Sequence, residues 1–535
     1  MKLKFLAALL VLAPLTPLQA QKKTDRAEVN WAPPLDAKKE GVFESLLHTD
    51  EENAFLLFSQ KKELILKRMN REYRTLAQEV IPMKFDKAEH SMEEISFVGD
   101  KILIFTTSYD KKEKVSHLYL RVLGQDDLNS QGRMEKISSL PAESNKKKGS
   151  ISVSSSPSNS KILIDLNKTY EKDESERSEL MVYSSGMELL WSKEVTLPYS
   201  NKEFSRDRVV VDDDGSVLML GIKYDEPAEA RAKRKDDIAA YTYHLLVFHK
   251  DGDTEDHPIN VSDKFLQDVT LAVAKDGDIV CGGFFGNKGV GSVRGSFFMR
   301  LDRDTKQIEH QSYKEFDNDF IKSYMTEKQA KKAEKRADRK GEDMEMFQFD
   351  MDEIILREDG GAVMVGEQYY VYQRCTTSSN GSQRCYWVHN YNDIIAINID
   401  PEGEIEWATI IPKRQAFIER QYAIVIGNLP YRPVFASYAV AVKGENIHFV
   451  FNDSGKNLFL KPGMKVEQYD LKGKGQLITL ATIDGNGTVH REALLAPDKR
   501  DAILQPMACR QMDTENMFIY ATRGKEYRFG SITFQ

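Results

Sequence analysis

Four cysteines, four tryptophans and ten histidines in 535 residues leave few groups for thiol or metal chemistry. No Gly-x-Ser-x-Gly elbow occurs, which excludes the serine hydrolases built on that turn. Gly289, Gly291 and Gly295 make a glycine-rich stretch, but it lacks the Gly-Lys-Ser/Thr ending that holds nucleotide phosphates. His244 and His249 stand five apart in a β-prone run, so they point to opposite faces and cannot share a zinc ion from there. Basic excess is missing too: 75 Lys+Arg against 83 Asp+Glu gives a formal charge of −8. Nucleic acid and anionic lipid both require a basic footprint, and neither is expected as a partner. Beyond the first twenty residues no apolar run approaches membrane-spanning length.

Residues 1–20 read as a secretory signal. Lys2 and Lys4 precede an apolar stretch that Pro14 and Pro17 interrupt, and Leu18-Gln19-Ala20 stands before polar Gln21. A membrane anchor would need a longer, unbroken stretch. No cysteine follows to receive a lipid. The expectation is an exported chain, periplasmic or extracellular, with cleavage after Ala20 and residues 21–535 forming one domain.

What is present is a rhythm. Around residues 354–410 a β-rich run leads into Glu358-Asp359-Gly360-Gly361, a second run, a longer loop, a third run at 394–399, the turn Pro401-Glu402-Gly403 and a fourth run. Similar units recur near 42–82, 92–141, 150–198, 206–262, 266–314, 433–492 and 502–535. Short strands in units of about 45 to 60 residues signal a repeated all-β architecture, most economically a β-propeller. The count predicts about eight four-stranded blades, with seven as the alternative. The last unit offers only three strands. Glu28-Val29-Asn30-Trp31 resembles the outer strands ending at Trp191 and Trp407, so the N-terminal strand is expected to close the ring and remove its open edges.

The tight turns at 212–215 (Asp212-Asp213-Asp214-Gly215) and 484–487 (Asp484-Gly485-Asn486-Gly487) carry clustered oxygen ligands that suit calcium. Neither has the alternating set with a distal bidentate Glu, and Asp, Asn and Gly are what short hairpins need. No metal or other cofactor is expected. One inserted surface helix interrupts the pattern within 317–349: Thr326 and Gln329 form a capping box, residues 330–340 favour helix, and Gly341 stops it. Its charges leave almost no apolar face, which suits a solvated spacer or a docking element for an acidic partner.

Cys375 and Cys385 bracket a hairpin tip. In an oxidising compartment that spacing predicts a disulfide, contributing on the order of 2–3 kcal/mol by chain entropy. Cys281 and Cys509 lie in separate repeats and read as buried thiols.

In a propeller the b-to-c and d-to-a connections emerge on one face, and here the long connections at 224–240, 317–349, 373–390, 412–433 and 453–474 all belong to that class. Such loops on a rigid frame are where binding surfaces arise. Around the Cys pair stand Tyr369, Tyr372, Arg374, Arg384, Tyr386, Trp387, His389 and Tyr391, the residue types that dominate recognition hot spots and stack on sugars. They are the candidate binding set for a protein or glycan of the cell envelope, with alternate residues available instead for packing. A catalytic alternative places Asp268, Asp352, Glu353, Glu367 and Asp393 near the channel mouth, where paired carboxylates would suit glycoside cleavage.

With its leader, its Asp359-Gly360-Gly361 turn and its Gly403…Trp407 element, the chain resembles the exported β-propeller proteins of Gram-negative bacteria that have no assigned activity. The resemblance implies a propeller along the mature chain and carries over no catalytic residue; the sialidase box is missing. The expected role is a non-enzymatic exported propeller that binds through its long-loop face, within an envelope assembly; the alternative is a polysaccharide-acting hydrolase.

Overall fold

The computed structural model describes residues 22–144, 146–169, 174–225, 241–252, 254–261, 264–274, 277–287, 292–379, 381, 383–418, 434–471, 475–495 and 502–535. Residues 1–21, which take in the expected leader, and the stretches 226–240 and 419–433 lie outside them.

Among the described residues, eight antiparallel sheets follow one another along the chain, at 42–81, 88–141, 150–200, 204–259, 265–315, 349–411, 439–495 and 503–534. We number them blades 1 to 8 and letter the strands of each a to d from the channel outward. Each blade presents two apolar faces, because its b strand holds a run of mostly apolar residues buried on both sides, as in Ala54–Phe58, Ile102–Phe105 and Val217–Leu220. Every pair of neighbouring blades shares one buried cluster, including the pair formed by the last and the first. Phe43 of blade 1 packs there against Phe518 and Phe529 of blade 8, at ring distances of 5.8 and 5.1 Å. The eight interfaces close a ring: the fold is a β-propeller.

Closure comes from the N-terminal strand. Ala27–Trp31 pairs with Glu526–Phe534, Ala27 opposite Phe534 and Trp31 opposite Gly530, and supplies strand d of blade 8. Strand a of that blade is broken, since Pro506 has no N–H to give a ladder and instead starts a 3-10 turn. The sequence reading of one continuous strand there is corrected to two short ones, Ile503–Leu504 and Arg510–Gln511.

The insertion between blades 5 and 6 holds two helices, not one. Asp317 caps Asn318–Ser323, a helix of six residues, by accepting from the Phe320 amide at 2.7 Å. Glu327–Lys340 follows with the expected capping box and with Gly341 in the left-handed region at φ 64°. Its face is not wholly solvated: Ala333 and Ala337 pack on the core shared by blades 5 and 6, and Lys322 bridges to Glu334 at 3.0 Å.

The other face of the ring is stitched turn to turn. Trp191 Nε1 donates to Gly215 O and Trp407 Nε1 to Gly485 O, each at 3.0 Å and each reaching the next blade. Asp213 accepts from Ser158 Oγ at 2.7 Å. The Asp212–Gly215 turn, read in sequence as a hairpin with calcium as the rival, has a cation of the protein's own: the Lys306 ammonium, 3.2 Å from Asp212 and 3.6 Å from Asp214.

Candidate functional site

Blade 6 differs from its neighbours in length. Its strands b and c, Ala362–Thr377 and Gln383–Ile399, keep pairing far past the end of the blade, from Tyr369 opposite Tyr391 out to Thr377 opposite Gln383. The segment read in sequence as a long loop is therefore a two-stranded arm, which alternating aromatic and β-branched residues stabilise. Cys375 and Cys385 lie opposite each other near its tip and are joined, S–S 2.02 Å. Cys281 and Cys509 are free and buried. All nine residues 371–379 are exposed, so both faces of the outer arm meet solvent.

The eight candidate binding residues divide along this arm. Tyr372, Arg374, Arg384 and Trp387 are exposed, Trp387 by 46% and Tyr372 by 44%; Tyr386 is half-buried. At the base, His389 and Tyr391 are buried and Tyr369 is half-buried. Tyr391 packs with Phe417, Ala436 and Tyr469, and the Tyr369 hydroxyl lies 3.2 Å from His389 Nδ1. Gln415–Ile418 adds a third strand beside residues 388–391 and braces the root. Position along the arm, root or tip, and not alternation between its faces, separates the two sets: residues 388–391 are buried in succession, whereas 371–379 are exposed in succession.

The arm's root separates two cavities. One, of about 820 Å³, is walled by the helical insertion (Gln329, Lys332, Arg336), by Gln368 and Tyr370 of the arm, and by Arg414 and Lys465 from the two following connections. The other, of about 680 Å³, lies at the channel, between Asp350, Asp352, Glu353 and Glu367 of blade 6, Ser437 and Tyr438 of blade 7, and Arg510 of blade 8. Tyr369 and Tyr391 belong to its wall.

Carboxylates reach the channel by a repeated device. In strand a of blades 1, 2, 4, 5 and 6 the pairing register slips by a bulge, and the bulge contains Glu44, Glu93, Asp207, Asp268 and Asp352 respectively. An extra residue in one strand turns its side chain off the regular alternation. Ser59 and Thr107 donate to Glu44 and Glu93, and the Met351 amide donates to Asp268, whose φ is 48°. Poor solvation between the channel walls raises the carboxyls of Glu44, Glu93, Asp268 and Glu353 above their usual range. Asp350 is raised to about 7 by the same desolvation and by the charges of Asp268 and Glu367. Asp352 rises to about 8, through desolvation first and Glu367 second, although Tyr438 Oη donates to it at 2.5 Å. Clusters of this kind in a cavity are where acid–base and binding chemistry is found.

The five carboxylates of the catalytic alternative are not equivalent. Asp352 and Glu353 line the channel cavity; Asp268 is not in its lining and accepts from the Met351 amide of the neighbouring blade. Glu367 borders the cavity, but its oxygens are taken: one by the Lys413 ammonium at 2.5 Å, the other by Ser437 Oγ at 2.8 Å. Asp393 lies on the opposite cavity, buried, accepting from the Lys413 amide at 2.9 Å; desolvation lifts it to about 7 against the pull of Lys413 and Arg491. Sequence reasoning missed Glu44, Glu93 and Asp207, whose signal was an acid at the same depth in strand a of successive repeats.

It also missed the buried network beneath the long connections. Lys413, with no exposed surface, gives its three protons to Glu367, to Tyr391 O at 3.1 Å and to Gln415 Oε1 at 3.3 Å. Gln415 donates in turn to Asn452 O at 2.8 Å and accepts from the Ser437 amide at 2.8 Å. Farther out, Arg491 pairs with Asp453 at 3.2 Å, and Asn457 Nδ2 donates to Asp453 at 2.7 Å. Fully satisfied networks of this kind fix the loops they tie down.

No protein-family model matches the chain, and no curated protein matches it. Solved structures do. The WD40 domain of SCAP from fission yeast is 6% identical over 96% of this chain and 97% of its own, with a TM-score of 0.40. The β-propeller domain of the Trilobed protease from Pyrococcus furiosus is 13% identical over 88% and 97%, TM-score 0.32. A protein of unknown function from Bacteroides caccae is 11% identical over 68% and 94%, TM-score 0.26. At such values no role is carried over. The class of the protein rests on its own closed ring: it is an eight-bladed β-propeller, clasped by its N-terminal strand and bearing a disulfide-braced arm.

Proposed function

We propose that this is an exported, non-enzymatic propeller that captures a protein or glycan partner of the cell envelope with the blade 6 arm. The observation that carries the reading is the exposure of residues 371–379 together with Trp387, on an arm whose root is locked by Tyr391, Phe417 and Tyr469. Large aromatic groups held rigidly in solvent lose little entropy on contact. The disulfide and the lack of any long apolar helix among the described residues are compatible with export. Replacing Tyr386 and Trp387 by Ala abolishes partner capture from envelope extract while Tm stays unchanged; undiminished capture refutes the reading.

A hydrolase is the second reading, favoured by Asp352, which stays protonated to about pH 8 on the wall of the channel cavity beside Glu353 and so qualifies as a general acid. Glu367 and Asp393 do not serve it, being committed to Lys413. Release of reducing ends from an envelope polysaccharide, lost in Asp352→Asn, would support it; equal release by the variant ends it.

A further inference from the structure

Strand c of the arm is covered at its root by Gln415–Ile418, and the root of strand b is flanked by Phe347, whose carbonyl accepts from Gln368 Nε2 at 2.8 Å and whose ring lies 6.0 Å from that of Tyr370. From Val371 to Thr377 strand b pairs on one side only, with residues 383–389, and no described strand lies along its other edge. Proteins blunt such an edge with Lys, Pro, inward charges or a bulge. Residues 371–377 read Val, Tyr, Gln, Arg, Cys, Thr, Thr, with neither Pro nor Lys, and the one register slip lies below them, at Gln368. The edge is long, β-prone, exposed from Val371 outward and held flat against its partner by the Cys375–Cys385 bond.

Charge selects the occupant. From Gln368 to Asn392 the chain carries no acidic residue, while Arg374, Arg384 and His389 supply the only ionisable bases, on a protein whose formal charge is −8. Arg374 stands seven strand positions beyond Glu367, about 23 Å. That is more than twice the Debye length of about 8–10 Å at physiological salt, so the channel carboxylates are screened from the tip. Pairing of two copies edge to edge would crowd their arginines.

We infer that the open edge of residues 371–377 is a docking strand, which adds an extended, carboxylate-bearing segment of a partner protein to the arm by backbone pairing. Main-chain hydrogen bonds give affinity in this mode, and side chains at alternate positions give selectivity. Arg374 and the exposed Tyr372 are the selecting groups on this strand. The inference rests on the partner-binding reading and specifies the partner's chemistry.

The test uses the intact, oxidised protein and a fluorescent peptide of about seven residues alternating valine and glutamate, matched to the length of the edge. Binding is followed by anisotropy, and hydrogen exchange is read on residues 371–377. The expected results are saturable binding, protection of those amides, and a loss of about tenfold or more both when alternate peptide amides are N-methylated and when glutamate is replaced by lysine. Equal binding of the methylated peptide overturns strand addition, equal binding of the lysine peptide overturns the acidic occupant, and protection that appears without peptide as concentration rises assigns the edge to a second copy instead. Failure of the peptide while Trp387→Ala still abolishes envelope capture removes only this inference; undiminished capture by Trp387→Ala removes the partner-binding reading as well.

Discussion

The two faces of the ring share one backbone topology and solve opposite problems. On the short-turn face, neighbouring blades are sewn together by local contacts between turns, among them Trp191 to Gly215, Trp407 to Gly485, and Lys306 to Asp212. On the long-loop face, the turns have become an arm, a helical insertion and two long connections, and these are held by a continuous buried network around Lys413. Two buried ammonium groups, one on each face, make the difference instructive. Lys306 faces Asp212, the Arg303 carbonyl and the solvent-exposed Asp214. Lys413 has three protein acceptors and no exposed surface. A ring can be closed by local stitches, whereas elaborate loops must be anchored from beneath.

Removing each ammonium gives the sharpest test. Lys413→Met leaves the Glu367 carboxylate enclosed without its counter-charge, and the expected loss is about 3–5 kcal/mol, seen as a large fall in Tm. Adding Glu367→Gln restores most of it. Lys306→Met costs less, about 1–3 kcal/mol, because Asp212, already raised to about 7 by desolvation and by Asp214, takes up a proton. Equal losses in the two variants would erase the distinction drawn between the faces.

A pH titration comes next. Asp212, Asp350 and Asp393 are raised to about 7 and Asp352 to about 8 in the folded chain. Groups with raised folded pKa bind more protons when folded, so their stabilising share is full below the unfolded value near 4 and declines as pH climbs through 7 to 8. His448, pushed down to about 4 chiefly by burial, acts in the opposite sense, but only between about 6.5 and 4. Tm therefore falls from pH 6.5 to 8.5, and Asp352→Asn flattens that fall; a Tm rising across this window contradicts the assignment.

On the short-turn face, Trp407→Phe deletes one stitch and costs about 0.5–1.5 kcal/mol. Smallest in global terms is the arm: Cys375→Ser with Cys385→Ser should hardly move Tm, while tryptic cleavage at exposed Arg374 and Arg384 accelerates. A fall in Tm matching that of Lys413→Met would mean the arm is part of the frame.

Much of the frame was legible because strands announce themselves locally. Val209-Val210-Val211 before Asp212-Asp213-Asp214-Gly215 gives strand, turn and return in a dozen residues, and the outer-strand likeness of Trp31, Trp191 and Trp407 disclosed how the ring closes. The candidate binding set was legible because aromatic and Arg residues crowd around the two cysteines, but its division into an exposed tip and a buried root was not, since 371–379 are exposed and 388–391 buried in succession. The arm's length was not legible either, because Thr, Ser, Asn, Gly and Gln around the cysteines read equally well as loop. Lys413, Gln415 and Asn452 gave no signal at all: a polar residue in or beside an irregular segment looks solvated until a distant chain segment covers it.

The residue pattern by itself disclosed the repeat, a count of seven or eight blades, the closing strand and the disulfide, since each depends on residues close together in the chain or on a strand's intrinsic alternation. Only the tertiary structure decided which acids face the channel, which polar groups are buried and which edge is left open. Bulges move side chains across a sheet without altering composition. Burial and edge exposure likewise depend on what a remote segment covers, and that is fixed only when eight blades pack side by side.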